Sequence, residues 1–324
     1  MTPFLTRMKH FFKNFGSLLI ASAKGFSEDK IPKLSSSLAY YTIFSMTPLI
    51  TIVIAAASLI YKKELVQDEL YQQLEGYISH NIVVQIKSIV SQAALSGKTT
   101  FALIAGIISL VIGATAVFLD IQDSLNSIWK VKAKPRKAIL GLLTNRLKAF
   151  SLIISLGFLL MVSLVINSIL GSVQARFQEL IPIPSGWLFL LLNNGITFAV
   201  ITFLFAVIFK VLPDVILKWK PALVGAAFTT LLFAIGKFLI DLYITKSNPG
   251  AIFGAAGTLI IILLWVYYTA FILYFGAEFT QAYAEKFSDR IKPSKYAVYV
   301  HVVAEEKEVS VLPPQHPEET KNTD

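Results

Sequence analysis

The chain has 324 residues, of which 55% are hydrophobic and 15% are charged, and its mean hydropathy is +0.65. A soluble domain carries about 25% charged residues, so this composition excludes a soluble enzyme. The chain has no cysteine, which excludes a disulfide-stapled secreted domain. It also lacks the alternating apolar strands of an outer-membrane barrel.

The N-terminal segment before the first long apolar run has a helical periodicity. Between residues 4 and 26 large apolar residues recur at steps of three and four, and Arg7, Lys9 and Lys13 fall between them. This pattern is typical of an amphipathic helix that lies in the membrane interface, although a helix that docks on a partner has the same pattern. Residues 1–33 are therefore predicted to be a cytoplasmic amphipathic segment.

Six long runs without acidic or basic residues follow along the chain, and the fifth reaches spanning length only by continuing through Lys237. A spanning helix needs about 20 apolar residues. The predicted spans are 34–60, 100–119, 150–172, 187–209, 221–244 and 257–279, within a transmembrane domain of residues 34–286. The predicted fold class is therefore all-α: a polytopic integral membrane protein with six transmembrane helices and an N-terminal interfacial helix.

The distribution of Lys and Arg predicts the orientation. The segments before the first span, after the second, after the fourth and after the sixth hold 22 basic residues, and the other three hold six. Basic residues are retained in the cytoplasm, so both termini and residues 120–148 are predicted to be cytoplasmic. Residues 62–98 form a predicted outside helical segment, and 287–324 a cytoplasmic tail with a disordered end. The net charge of +9 indicates contact with anionic inner-leaflet lipid, not nucleic acid.

The residues that usually carry catalysis or bind metals show no clustering in the sequence. The four histidines lie in different segments, and the patterns HExxH, GxxxxGK[ST] and GxSxG do not occur. The sequence therefore predicts no metal, no cofactor, no catalytic residues and a protein that is not an enzyme.

Two charged residues lie four positions apart within the fifth predicted span. Lys237 and Asp241 share one helix face, so they can pair. An ionisable group at membrane depth costs at least about 2.5 to 3.5 kcal/mol and needs a partner or a role. Two interpretations stay open: Lys237 reaches outward to a neutralising Asp241, or the pair belongs to a functional polar site.

The end of the second predicted span is a second polar candidate. Asp120, Asp123 and Asn126 lie there, ahead of Trp129 and a basic cluster that begins at Lys130. One interpretation is an interfacial helix that leaves the bilayer, with Trp129 as its anchor. The other is an inner vestibule that handles a lipid phosphate or a cation.

The sixth predicted span is a third candidate. Trp265 and Tyr268 lie well inside it by count, where core packing competes with a polar role, and Glu278 closes it. Glycines at the spacing that permits close helix packing precede this span: Gly250, Gly254 and Gly257.

The first predicted span adds polar groups of its own. Tyr40, Tyr41 and Ser45 are able to hydrogen-bond between helices, and Pro48 interrupts the backbone ladder.

Four stretches, 37–50, 125–129, 224–244 and 253–279, together resemble the YihY/BrkB family of bacterial inner-membrane proteins, long labelled ribonuclease BN. The resemblance implies six inner-membrane spans with cytoplasmic termini. In this chain Phe253 stands where the family usually has Tyr.

The function predicted from the residues and the resemblance together is transporter-like or lipid-handling, with a polar interior built from spans one, two, five and six. The predicted partners are membrane lipids and a small solute or lipid substrate. The alternative is a structural or scaffolding membrane protein, and a ribonuclease ranks last.

Overall fold

The computed structural model describes residues 3–57, 71–72, 75, 80, 82–84, 86–87, 100–134, 186–247, 256–288 and 290–300. The long helices of these ranges are α1 (Pro3–Glu28), α2 (Ile31–Ala57), α3 (Thr100–Ile128), α4 (Gly186–Val211), α5 (Trp219–Ser247) and α6 (Ala256–Phe287). The short strands are β1 (Val131–Ala133), β2 (Val215–Ile216), β3 (Lys292–Pro293) and β4 (Ala297–Tyr299). The prediction of a mostly helical fold is confirmed.

Three helices in the described part of the chain are long and apolar enough to cross a membrane. Their apolar stretches are Asn194–Val211, Trp219–Ile240 and Leu259–Phe287, in the predicted fourth, fifth and sixth spans. Helices α2 and α3 contain most of the first span and all of the second. The predicted third span lies outside the described residues.

Helices α5 and α6 are antiparallel and pack through a reciprocal pair of small residues. Gly225 faces Thr280, and Gly276 faces Thr229. Each threonine hydroxyl donates to the carbonyl oxygen four residues earlier in its own helix, at 2.7 Å. The hydroxyls are thereby satisfied inside the bundle, and the glycines let the two backbones approach closely.

Helix α1 contacts α6. The Phe15 ring lies 6.2 Å from that of Phe228 and 6.0 Å from that of Phe279, and Leu18 is buried. The exposed Lys13 lies on the same helix. The apolar stripe that predicts an interfacial helix is thus partly covered by the protein itself.

The C-terminal segment forms two small antiparallel sheets with loops between the helices. β4 pairs with β1, so that Val131 lies opposite Tyr299, and β3 pairs with β2, so that Val215 lies opposite Pro293. Three of the predicted cytoplasmic segments therefore lie on one face of the bundle. This arrangement agrees with the distribution of basic residues, which assigns all three to the same side.

Candidate functional site

A polar cluster lies where α2, α3 and α6 meet. Ser37 donates from Oγ to Asp120 Oδ1 at 2.6 Å, which joins α2 to α3. Tyr274 of α6 is fully buried beside Asp120 and Ser124. Among the described residues, neither Asp120 Oδ2 nor the Tyr274 hydroxyl has a hydrogen-bond partner. A buried polar group without a partner costs about 1 to 3 kcal/mol, so a functional role would explain why these two atoms are kept.

Glu278 extends the cluster by one turn of α6. Its side chain is 5% exposed, and its Oε1 has no hydrogen-bond partner in the described part of the chain. Gly25 of α1 lies directly against this carboxylate, and a Cβ built at Gly25 would collide with it. Glycine at position 25 is thus what allows α1 to approach Glu278.

An ion pair stands next to Glu278. Lys130, just after α3, pairs with Asp29, just after α1. The Asp29 side chain is 8% exposed and that of Lys130 is 42% exposed. Both charges act on Glu278, and the Asp29 and Glu278 carboxyl groups lie within hydrogen-bonding reach. Two buried carboxyl groups thus lie near a single ammonium group, which is paired with Asp29.

A second set of polar contacts joins α3 to the loop between α4 and α5. The Asp214 backbone N–H donates to Asn126 Oδ1 at 2.8 Å. Asn126 Nδ2 and Gln122 Nε2 donate to Asp214 Oδ2 at 3.1 and 3.0 Å. Asn126, predicted as a candidate in the substrate path, therefore holds the side chain and backbone of Asp214 in this arrangement.

Asp123 lies at the rim of the cluster, beyond the predicted span 100–119. Its side chain is exposed. Partial desolvation, together with the charges of Asp120 and Asp214, raises the pKa of Asp123. The rim is therefore acidic, and a positively charged group is the ligand that its field favours.

The end of α3 differs from the predicted interfacial extension. The helix continues without interruption to Ile128, which is fully buried. Trp129 is buried too, and its Nε1 donates to the Ala277 carbonyl oxygen at 3.4 Å. The indole thus packs on α6 and does not anchor a surface helix, because β1 and β4 cover this end of the bundle.

The two tyrosine candidates of the first span are exposed, one helical turn along α2 from Ser37. Tyr40 and Tyr41 are 59% and 40% exposed, and the Tyr40 ring packs on Phe44 at 4.8 Å. Ser45 donates to the Thr42 carbonyl oxygen of its own helix at 3.0 Å. Its Cβ lies 2.9 Å from the position of a Cβ at Gly113, so α2 and α3 approach closely here. The side chain of Pro48 lies outside the described residues.

Lys237 lies well apart from the cluster. Thr280 faces Gly225 and Gly276 faces Thr229, so Lys237 is about ten residues along α5 from the level of Glu278, roughly 15 Å at about 1.5 Å per residue. Its Nζ donates to the Glu75 carbonyl oxygen, in the predicted outside segment, at 3.4 Å. Asp241 lies in α5, and its side chain lies outside the described residues.

The aromatic candidates of the sixth span serve packing. Trp265 is buried with its ring 5.8 Å from that of Phe233, and the Tyr268 ring packs over Gly236. Gly257 is buried, and Gly250 and Gly254 lie outside the described residues.

Sequence reasoning missed Asp29 and Tyr274 as site residues, and it named Lys130 only as the start of the basic cluster that follows Asp120 and Asp123. Tyr274 had a usable signal, because it precedes Glu278 by four residues and so shares its helix face. Asp29 had none, since it looks like an ordinary charge at a helix end. Within the described ranges, no group of three or more His, Asp or Glu is arranged to hold a metal ion.

Comparisons with known proteins agree with the membrane fold. Residues 22–298 match the family model described as Virulence factor BrkB. The UPF0761 membrane protein of Alteromonas mediterranea is 27% identical over 88% of this chain and 95% of its own length. Those of Ralstonia nicotianae and Alcanivorax borkumensis are 25% and 26% identical over 77% and 84% of this chain. The chain spans only 55% and 61% of those two longer relatives. No solved structure matches.

Proposed function

We propose that this chain, which belongs to the Virulence factor BrkB family of membrane proteins, moves a small polar solute or a lipid head group across the membrane. The observation that carries the proposal is the set of unpartnered polar atoms in the cluster: Asp120 Oδ2, the Tyr274 hydroxyl and Glu278 Oε1, as far as the described residues extend. Because acidic groups outnumber basic ones there, the favoured ligand carries a positive charge. The proposal involves no catalytic step.

The substitution Tyr274→Phe separates transport from folding. The hydroxyl is buried without a partner, so its removal is expected to leave the melting temperature unchanged or slightly higher. Transport is expected to fall at least about tenfold, because one missing hydrogen bond to a charged ligand is worth about 1.5 to 3 kcal/mol. The measurements are uptake of choline, ethanolamine and putrescine into proteoliposomes, and dithionite quenching of a fluorescent phosphatidylethanolamine.

The control is Tyr283→Phe, which removes a hydroxyl from the same helix at a half-buried position. It is expected to transport normally. A Tyr274→Phe protein as active as the wild type would contradict a role for this hydroxyl. A wild-type protein that transports none of these four probes would contradict transport of these substrate classes.

A scaffolding function is the second candidate, and one observation favours it. The α5–α6 interface is closely packed through Gly225, Thr229, Gly276 and Thr280, as a purely structural bundle requires. The transport proposal therefore depends on the α2–α3–α6 cluster, where polar atoms are left without partners.

The proposal includes six spans in the inner membrane of a bacterium, cytoplasmic segments 1–33 and 287–324, and a transmembrane domain of residues 34–286. It is supported by the 22 basic residues on one predicted side against six on the other. The pairing of β1 with β4 and of β2 with β3 further supports a common side for three of the predicted cytoplasmic segments.

Single cysteines test this orientation, since the chain has no native cysteine. Gln72→Cys, Lys134→Cys and Lys295→Cys each replace an exposed residue. A membrane-impermeant thiol reagent applied to intact spheroplasts is expected to label Gln72→Cys alone, and all three after lysis. Labelling of Lys134→Cys or Lys295→Cys in intact spheroplasts would contradict the predicted orientation.

A further inference from the structure

The carboxyl groups of Glu278 and Asp29 form a buried pair at the junction between α1 and α2. Their side chains are 5% and 8% exposed, and they lie within hydrogen-bonding reach of each other. Two ionised carboxylates in contact repel strongly where the dielectric constant is low, and such pairs hold one proton between them. The contact itself therefore requires a proton at this site.

The surrounding charges determine which carboxyl group holds that proton. Among the described residues, the charged groups that act on Glu278 are Asp29 and Glu28 at the end of α1, and Lys130 after α3. Lys130 forms its ion pair with Asp29, so the ammonium lies on the Asp29 side of the two carboxyl groups. Glu278 therefore holds the proton and donates a hydrogen bond to Asp29.

The site connects to the polar cluster and to the α1–α2 junction. Tyr274 precedes Glu278 by one helical turn and lies beside Asp120. Gly25 brings the backbone of α1 against the Glu278 carboxylate, and Lys30 between the helices has a left-handed φ of 53°. Loss of the proton would place two negative charges beside one ammonium, which pushes Asp29 and the junction away from α6.

We propose that Glu278 and Asp29 form a proton-binding site whose occupancy holds the α1–α2 junction against α6, so that the proton is the coupling ion of the transport proposed above. Only the assignment of the proton as the coupling ion rests on the proposed function. Proton binding itself is measurable without any transported substrate.

Infrared spectroscopy of the protein in lipid bilayers tests the site directly. At pH ~7 an unperturbed glutamate, with a pKa of about 4.3, has lost its proton. The wild type is expected to keep the carbonyl stretch of a protonated carboxylic acid at this pH and to lose it as the pH rises. Glu278→Gln is expected to abolish this band, because glutamine keeps the shape and cannot titrate.

Asp29→Asn distinguishes a shared proton from simple burial. Without the Asp29 charge, Lys130 faces Glu278 alone, so Glu278 is expected to ionise and the band to weaken at pH ~7. Glu285→Gln is the matched control, because Glu285 is exposed on the same helix, and it is expected to leave the band unchanged.

A melting-temperature profile gives a second measurement. A group that keeps its proton in the folded state contributes stability that is present at low pH and lost as the pH rises through its folded-state titration. The wild type is expected to lose stability with rising pH, and Glu278→Gln to flatten that part of the profile. Identical infrared spectra and identical profiles for the wild type and Glu278→Gln would overturn the proton site. If the infrared spectra and melting profiles support the proton site while Tyr274→Phe transports normally, only the role of the Tyr274 hydroxyl in transport is contradicted.

Discussion

Substitution of Gly276 by Ala is expected to destabilise the protein by about 1 to 3 kcal/mol, as overpacking of a close-packed core does. A new Cβ at position 276 would lie 2.9 Å from Thr229 Cβ and nearer still to its hydroxyl. Thr229 is fully buried, and its hydroxyl is committed to the Gly225 carbonyl oxygen. The side chain therefore has no free space to enter, and α5 and α6 must separate.

Thermal unfolding in detergent measures the effect, and Gly195→Ala and Gly16→Ala are the controls. A Cβ built at either control position has no heavy atom within 4 Å. Both controls are expected to match or exceed the wild type, because Ala is favoured over Gly in helices by about 1 kcal/mol. The double change Gly276→Ala with Thr229→Gly is expected to recover part of the loss. A Gly276→Ala protein as stable as Gly195→Ala would contradict the packing described.

The helix-packing glycines show why only part of the fold was predictable. The sequence pattern pointed to Gly250, Gly254 and Gly257, because glycines spaced four apart form a visible motif. The close contact at Gly225 and Gly276 uses a threonine on each opposing helix, so neither helix displays two glycines spaced four apart. Recognising it requires knowing that α5 and α6 are antiparallel neighbours and in which register.

The polar cluster was predictable where polarity interrupted an apolar run. Asp120 and Glu278 were identified for that reason, and the structure places Asp120 where α2, α3 and α6 meet and Glu278 on α6 against α1. Lys237 has the same sequence signal and nevertheless lies well apart, near Glu75. Depth in the membrane follows from counting residues, whereas the partner of each charge depends on helix neighbours that hydropathy does not encode.

The two sheets were not predictable from periodicity. β2 and β3 have two residues each, and β1 and β4 have three, which is too short to display an alternating pattern. The partner of β4 is β1, in the segment directly after α3. This pairing joins the C-terminal segment to the polar end of the bundle, so the tail and the cluster are physically linked.

Because of this link, Asn126→Ala is expected to destabilise the protein by about 2 to 4.5 kcal/mol and to loosen the C-terminal segment. The substitution removes a donor to the buried Asp214 carboxylate, worth about 1.5 to 3 kcal/mol, and the acceptor of the Asp214 N–H, worth about 0.5 to 1.5. The backbone carbonyl oxygen of Asp214 also accepts from Ser294 N–H at 2.9 Å, next to the paired strands β2 and β3. Once Asp214 is released, the segment from 290 to 300 loses its support.

Two measurements separate this local effect from general unfolding: the melting temperature, and the rate of proteolysis within residues 290–300 well below it. Asn126→Asp is expected to be worse than Asn126→Ala, because it sets a second carboxylate against Asp214 where a donor is needed. Ser127→Ala, at an exposed neighbouring position, is expected to change neither quantity. Wild-type proteolysis of Asn126→Ala would show that Asn126 is not needed to hold Asp214, because the contact between Asp214 and Ser294 would then survive without it.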